Sequence, residues 1–503
     1  MRPLIKLEKT NYFTILYLAI FVMYGYVGYL SPGYDDEFFN IKLVELHGIE
    51  AVTLVQGMDV HPPGSYFVNW LLWTIFEDWS YVRLLIALFA ASVIVFVISN
   101  IKKNYGVAPA LIVFGLIGLN PALLLWTTGV RWYAFFVPIL LWLSVVPKNN
   151  DWWYWAKCFL GLLLLGYFGY LVFMVAIPLI YLYWRGDNNS IQKKIKSVTL
   201  YGIIFIFLYM HQLLIFLDVH LPNKGSQVSS LEKSIIGFAV AQLSNQGVFP
   251  VSLAGGISAF GMVCAMLLIF IYSLRENLRK NDYFLSYWIA VIFFIASGIA
   301  GKFRNFVALS PWQGIYMSVA EIPENKKTYY YFFIMAVIIG NCFGIANVIT
   351  HSETTKNSWN LPVPEVKNFI GELRLSCKDQ LLIMTHDPTL AFVLEKDGYF
   401  TLSPYTINTI SSTSFASLKK LPDCLVALKT YAGSISDDQI NKMYGSLGNI
   451  KAASIENEYF GLDRHYELKR KLDGRYPKFQ VELIVYRNPV SLDNLESWVS
   501  EQE

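Results

Sequence analysis

Long apolar runs broken by short polar stretches dominate residues 11–350, and the pattern changes abruptly after that. A membrane-spanning helix needs about 20 mostly apolar residues. Runs of roughly that kind occupy 12–30, 81–100, 107–126, 132–147, 198–217, 256–274, 283–300 and 329–350, and a shorter one covers 306–320. The stretch 152–184 is too long for one helix, and Gly166, Gly169 and Pro178 interrupt it. It divides into two short spans joined by a tight outer turn. The pattern therefore predicts eleven spans.

Beyond residue 350 the elements alternate in type. Helices are predicted at Pro364–Leu375, Pro388–Glu395 and Ser436–Leu447, and strands at Gln380–Thr385, Cys424–Tyr431 and Phe479–Arg487. The expected fold class is mainly α: a polytopic transmembrane helical domain over 1–350, followed by a soluble α/β domain over 351–503. This domain has no glycine-rich phosphate cradle, and its expected task is to recognise the acceptor or brace the membrane part. His386-Asp387 follows its first strand, and Asp387 before Pro388 reads as a helix N-cap rather than a catalytic pair.

Loop charge sets the orientation. With the N-terminus inside, sixteen Lys and Arg fall on inner segments and seven on outer ones. Positive loops stay on the cytoplasmic side, so the N-terminus is expected inside and the C-terminal domain outside. The first span has a basic start but no small-x-small cleavage site, and reads as an uncleaved anchor. Composition agrees: 55% of the residues are hydrophobic and only 15% charged, against about 25% charged in soluble chains. The net charge of +3 gives no footprint for nucleic acid, which is not expected as a partner.

Two charged clusters are predicted at the outer face. Asp35-Asp36-Glu37 lies in the long segment 31–80, just after the first span. Adjacent carboxylates near a low-dielectric boundary repel one another, which raises the pKa of one and suits it to act as a general base. The same three acids are equally at home as the first turn of a helix, favoured by its dipole. The second cluster is basic: Arg131 opens the fourth span, and Lys302 and Arg304 lie between the ninth and tenth. Arginine binds phosphate through a planar fork, although a cation at this depth also snorkels to lipid headgroups. An acid-base group beside a phosphate clamp is what transfer from a sugar phosphate requires.

Asp36-Glu37 after span one, followed by His61-Pro62-Pro63-x-x-Tyr66, resembles the GT-C superfamily of membrane glycosyltransferases. It is most similar to glycosyltransferase family 39, which includes protein O-mannosyltransferases and the aminoarabinose transferase of lipid A. Arg131-x-Tyr133 and Arg304-Asn305-Phe306, with Pro311 following, fit the same pattern over roughly residues 10–350. The layout with a C-terminal outer domain is also similar to serotype-converting O-antigen glucosyltransferases. The resemblance implies an inverting glycosyltransferase in a bacterial inner membrane, with a periplasmic C-terminal domain. Its partners would be the bilayer, a polyprenyl-phosphate sugar donor such as an undecaprenyl phosphate sugar, and a glycan or glycolipid acceptor, with an O-antigen-type lipopolysaccharide acceptor favoured and a protein hydroxyl or lipid A as the alternatives. Asp36 would take the acceptor proton, and Arg131 and Arg304 would stabilise the departing lipid phosphate. Asp59, His61 and Tyr66 are expected in the substrate loop. No cofactor or metal is expected; Asp59 and His61 could be ligands for a divalent ion, but one His and one carboxylate do not define a site.

Other features have plainer readings. The loop 218–255 holds His220, Lys224 and a Gly/Ser-rich stretch, and either covers the donor site or is an interfacial connector. His211 in span seven reads as a packing residue. Cys158, Cys264 and Cys342 are expected buried and unpaired within spans, while Cys377 and Cys424 stand at the starts of predicted strands where a bridge is geometrically possible. The rival class is a lipid-linked sugar transporter. Transporters carry broken helices and charges near the midplane, and here the charges gather at the span ends.

Overall fold

The computed structural model describes residues 9–30, 35–58, 61–145, 153–217, 253–275, 282–297, 309–320, 322–350 and 363–376, five strands, and the isolated positions 235 and 394. The chain divides into two compact units: Met1–Leu30 with Ile49–Thr350, and Ser31–Gly48 with His351–Glu503.

The first unit is helical. Its elements are α1 (Lys9–Leu30) and, beyond α2 of the second unit (Asp35–His47), α3 (Ala51–Met58), α4 (Gly64–Phe76) and α5 (Trp79–Tyr105). There follow α6 (Val107–Val113), α7 (Pro121–Trp126), α8 (Tyr133–Ser144), α9 (Trp153–Phe168), α10 (Val172–Gly186), α11 (Ile191–Ile215), α12 (Leu253–Arg275), α13 (Asp282–Ala296), α14 (Ser310–Val319) and α15 (Glu324–Thr350). Among the described residues, α1 from Tyr12, α5, α11 and α15 to Ala346 are long and apolar enough to cross a membrane, and several shorter apolar helices accompany them.

The exposed surface has the character of a surface in contact with hydrocarbon. On α4 the stripe Phe67, Leu71 and Ile75 is exposed while Ser65, Tyr66 and Asn69 are buried. That inverts the usual amphipathic helix of a soluble protein. On α11, Phe207 is 79% exposed.

Helix pairs approach closely where glycine removes a side chain. A Cβ on Gly28 would lie 2.7 Å from the Cβ of Ala87, which explains the tight seam between α1 and α5. The predicted division of 152–184 occurs, and its turn lies at Gly169–Leu171. Gly169 supports that turn because a Cβ there would lie 2.9 Å from the Trp132 ring. Pro178 does not break the chain; it sits inside α10.

The expected continuous span over 107–126 is corrected. After α6 the chain makes a π-helical turn at Phe114–Gly118 and then breaks. Asn120 caps a new helix, its Oδ1 accepting from the backbone N–H groups of Ala122 and Leu123, with Pro121 in the first turn. Asn341 Nδ2 donates to the Gly115 carbonyl at 2.8 Å inside the π turn. Both devices satisfy backbone groups that a break would otherwise orphan. His211 is exposed on α11 rather than packed. Cys158, Cys264 and Cys342 are free as expected, but only Cys158 is buried; Cys342 is exposed.

The second unit contains α2, α16 (Val363–Ser376) and a five-stranded sheet. The strands are β1 (Leu381–Thr385), β2 (Phe400–Leu402), β3 (Cys424–Lys429), β4 (Ile450–Asn457) and β5 (Phe479–Arg487), in the order β2-β1-β3-β5-β4. β1 runs parallel to β2 and β3, and β5 runs antiparallel to β3 and β4. Ile383 and Val426, register partners on β1 and β3, are fully buried. The predicted helices at 388–395 and 436–447 lie outside the described residues, Leu394 apart.

Candidate functional site

The His-Pro-Pro element and the Arg131 turn meet in the first unit. Pro63 is the N-cap residue of α4, and the Gly64 at its first position sits against the end of α9: a Cβ on Gly64 would lie 2.4 Å from the Tyr167 carbonyl oxygen. Only glycine admits that approach without a shift of backbone. One residue before Pro62, the His61 ring lies 5.4 Å from the Trp132 ring. One turn into α4, Asn69 Nδ2 donates to the Val130 carbonyl at 2.6 Å. Three contacts thus gather segments around residues 61–69, 130–132 and 167–169.

Arg131 does not open a helix. It lies in a turn between α7 and α8, with Trp132 as the N-cap residue of α8. Arg131 is 6% exposed, so snorkelling to headgroups is not its role here. The turn is walled by aromatic rings: Trp132 packs on Tyr133 at 3.8 Å and edge-on to Phe136, Trp126 lies 5.5 Å from Tyr133, and Phe135 stacks on Phe168 at 4.9 Å. Thr127 and Thr128 donate back to Leu123 and Leu124 carbonyls, closing the end of α7. A charged guanidinium in such surroundings is expensive unless charges or hydrogen bonds meet it.

The other predicted residues fall as follows. Tyr66 is not a loop residue: it lies within α4 and is fully buried. His61 remains in the bend before α4, half-buried. In the second unit, Asp35, Asp36 and Glu37 are the first three residues of α2, positions whose dipole favours acids. Glu37 is 1% exposed and, with Ile41 and Val44, forms the helix's buried stripe. Asp59, Lys302 and Arg304 lie outside the described residues, as does the loop 218–255 apart from Ile235 and the start of α12. Among the described residues no three His, Cys, Asp or Glu side chains cluster as metal ligands.

Two residues of this end escaped the sequence reading. Arg83, one of the seven Lys and Arg on the outer segments, is 4% exposed one turn into α5. Its signal was present: a lone arginine inside a long apolar run. Asn69 had no local signal, because its partner lies 61 positions away.

Cys424 is disulfide-bonded. It is the register partner of Leu381, four residues beyond Cys377, which itself lies outside the described residues.

No protein-family model and no curated protein sequence matches the chain. Among solved structures, the crystal structure of ArnT from Cupriavidus metallidurans in the apo state is similar over 94% of this chain and 98% of that one, with a TM-score of 0.52 and 12% sequence identity. A second structure of ArnT, bound to undecaprenyl phosphate, has the same coverage and identity and a TM-score of 0.49. The chain therefore has an ArnT-like fold.

Proposed function

We propose that this protein is an inverting glycosyltransferase that moves a sugar from a polyprenyl-phosphate donor to a hydroxyl of a cell-envelope glycan or glycolipid. The observation that carries the reading is the convergence of the His61-Pro62-Pro63 element with a buried arginine turn, through the His61–Trp132 and Asn69–Val130 contacts, in a chain with an ArnT-like fold.

In this mechanism the carboxylate of Asp36, the base by motif position, takes the proton of the acceptor hydroxyl. The acceptor oxygen forms a bond to the anomeric carbon from the face opposite the phosphate. The bond between that carbon and the phosphate oxygen breaks, and its electron pair leaves with the lipid phosphate. Arg131 and Arg304 stabilise the charge that develops there, as preorganised cations do. The lipid tail lies among the apolar helices. The reaction belongs on the outer face, with the N-terminus cytoplasmic and residues 351–503 periplasmic; the disulfide at Cys424 suits an oxidising compartment. An O-antigen-type acceptor fits the layout with a C-terminal outer domain. A lipid A-modifying transfer is the second reading, favoured by the ArnT-like fold over 94% of the chain.

Purified protein in lipid nanodiscs, given an undecaprenyl-phosphate sugar and either O-antigen or lipid A, should yield glycosylated acceptor and free undecaprenyl phosphate by mass spectrometry. Counterflow of lipid-linked sugar without product would make the protein a transporter instead. A cysteine at Ser500 should react with a membrane-impermeant maleimide in intact spheroplasts; labelling only after lysis would reverse the topology.

A further inference from the structure

Asn69 is fully buried in the middle of α4, a short helix whose opposite face is apolar and exposed. Leucine would be the cheaper resident of such a position. The asparagine donates through Nδ2 to Val130, and the next residue is Arg131. Its Oδ1 is buried without a hydrogen-bond partner among the described residues. A side chain kept for its own stability would satisfy both ends, because an unmet buried acceptor is destabilising. The residue is therefore explained by what its donor end holds.

The surroundings make that hold effective. Gly64 seats the start of α4 on the Tyr167 carbonyl, so the helix that carries Asn69 is itself fixed one turn away. Gly169 seats the other side of the turn beneath Trp132. Between these two glycine contacts, residues 127–132 form a turn and bend that belongs to neither α7 nor α8. The carbonyl that Asn69 grips is the one immediately before the arginine.

We propose that Asn69 is a positioning residue: by holding the Val130 carbonyl it fixes the turn that presents Arg131, and through Arg131 it sets the affinity for a polyprenyl phosphate. The second half rests on the function proposed above; the first does not. Asn69→Leu removes the donor while keeping the branched outline of the side chain. In the full-length protein in nanodiscs, amide hydrogen exchange over 127–133 should speed up, with little change in exchange in α9 or α10. Affinity for undecaprenyl phosphate, added without sugar, should fall about three- to tenfold, the worth of one hydrogen bond. Asn69→Leu combined with Arg131→Ala should bind no more weakly than Arg131→Ala alone. If Asn69→Leu fails to fold, Asn69→Ala removes the donor without adding bulk or charge and should give the same pattern. Unchanged exchange over 127–133 in a folded variant overturns the proposal. So does faster exchange with undiminished affinity when Arg131→Ala does lose affinity, or additive losses in the double variant. Faster exchange together with an Arg131→Ala variant that binds normally would keep Asn69 as the holder of the turn and remove Arg131 from the phosphate site.

Discussion

Cations are treated differently at the two ends of the helical unit. At the end where α5 and α10 finish, they are exposed or lie over rings. Arg185 pairs with Asp282 at 2.8 Å with 41% of its side chain exposed, and the hydrogen bond to that carboxylate raises its pKa. Lys102 lies over Phe13 and Lys157 over Trp142. At the end where α5 and α8 begin, Arg83 and Arg131 are buried. An exposed pair contributes about 0–1 kcal/mol, whereas a buried charge demands a partner or a purpose. The same residue type is thus an anchor at one end and a structural expense at the other. Buried ionisable groups in membrane proteins often mark function, and the contrast agrees with the phosphate-binding role proposed above for Arg131.

Substitutions of the proposed base and of the proposed phosphate-binding arginine should have the largest effects. Asp36→Asn should lower kcat by about 10²–10⁴-fold, the range for a general base, with donor binding intact. Near-normal turnover in Asp36→Asn, alongside a dead Asp35→Asn or Glu37→Gln, would move the base to a neighbouring position. Arg131→Ala should cost about 10²–10³-fold in kcat, as loss of a preorganised donor does, and should weaken binding of the lipid phosphate. Lysine there should restore only part, since it lacks the fork.

Gly64→Ala should destabilise the protein by about 1–3 kcal/mol, because its new methyl group meets backbone rather than a yielding side chain. Thermal denaturation in detergent would measure this, and a shift smaller than the error would mean that α4 moves aside freely. Arg185→Gln should change stability by less than about 1 kcal/mol and leave transfer untouched. A large loss of activity from Arg185→Gln would erase the contrast between the ends.

Much of this was legible in the sequence. Apolar runs located the helices because the bilayer selects on length and hydropathy, and glycines at 166 and 169 announced a hairpin. The break at Asn120 was also written there: Asn-Pro is a cap followed by a favoured first-turn residue. Averaging hydropathy over 107–126 conceals it, since Asn120 is one polar residue among leucines and glycines. The sheet was half visible. β1, β3 and β5 are apolar or alternating, whereas β2 has three residues and β4 mixes small, charged and apolar types. The His-Pro-Pro element and Arg131 were legible as separate motifs. That Arg131 is buried, that Tyr66 belongs to a helix and that Asn69 connects the two motifs depend on packing between distant segments, which local pattern does not encode.

The exposed flank of α11 has a consequence for how the molecule is made. Its contact with the rest of the unit runs mainly along α9, where Tyr209 donates to the Gly166 carbonyl at 3.0 Å and its ring fills the space a side chain on Gly166 would need. A helix whose backbone bonds are internal is already satisfied in lipid before it touches a neighbour. α11 can therefore leave the translocation machinery as a finished helix and join the α9–α10 hairpin afterwards, with the Tyr209–Gly166 contact, the Tyr167 hydroxyl on the Leu208 carbonyl and the stacked rings of Phe159 and Tyr201 as its docking key. Blocking that key should leave a fully inserted but loosely assembled protein.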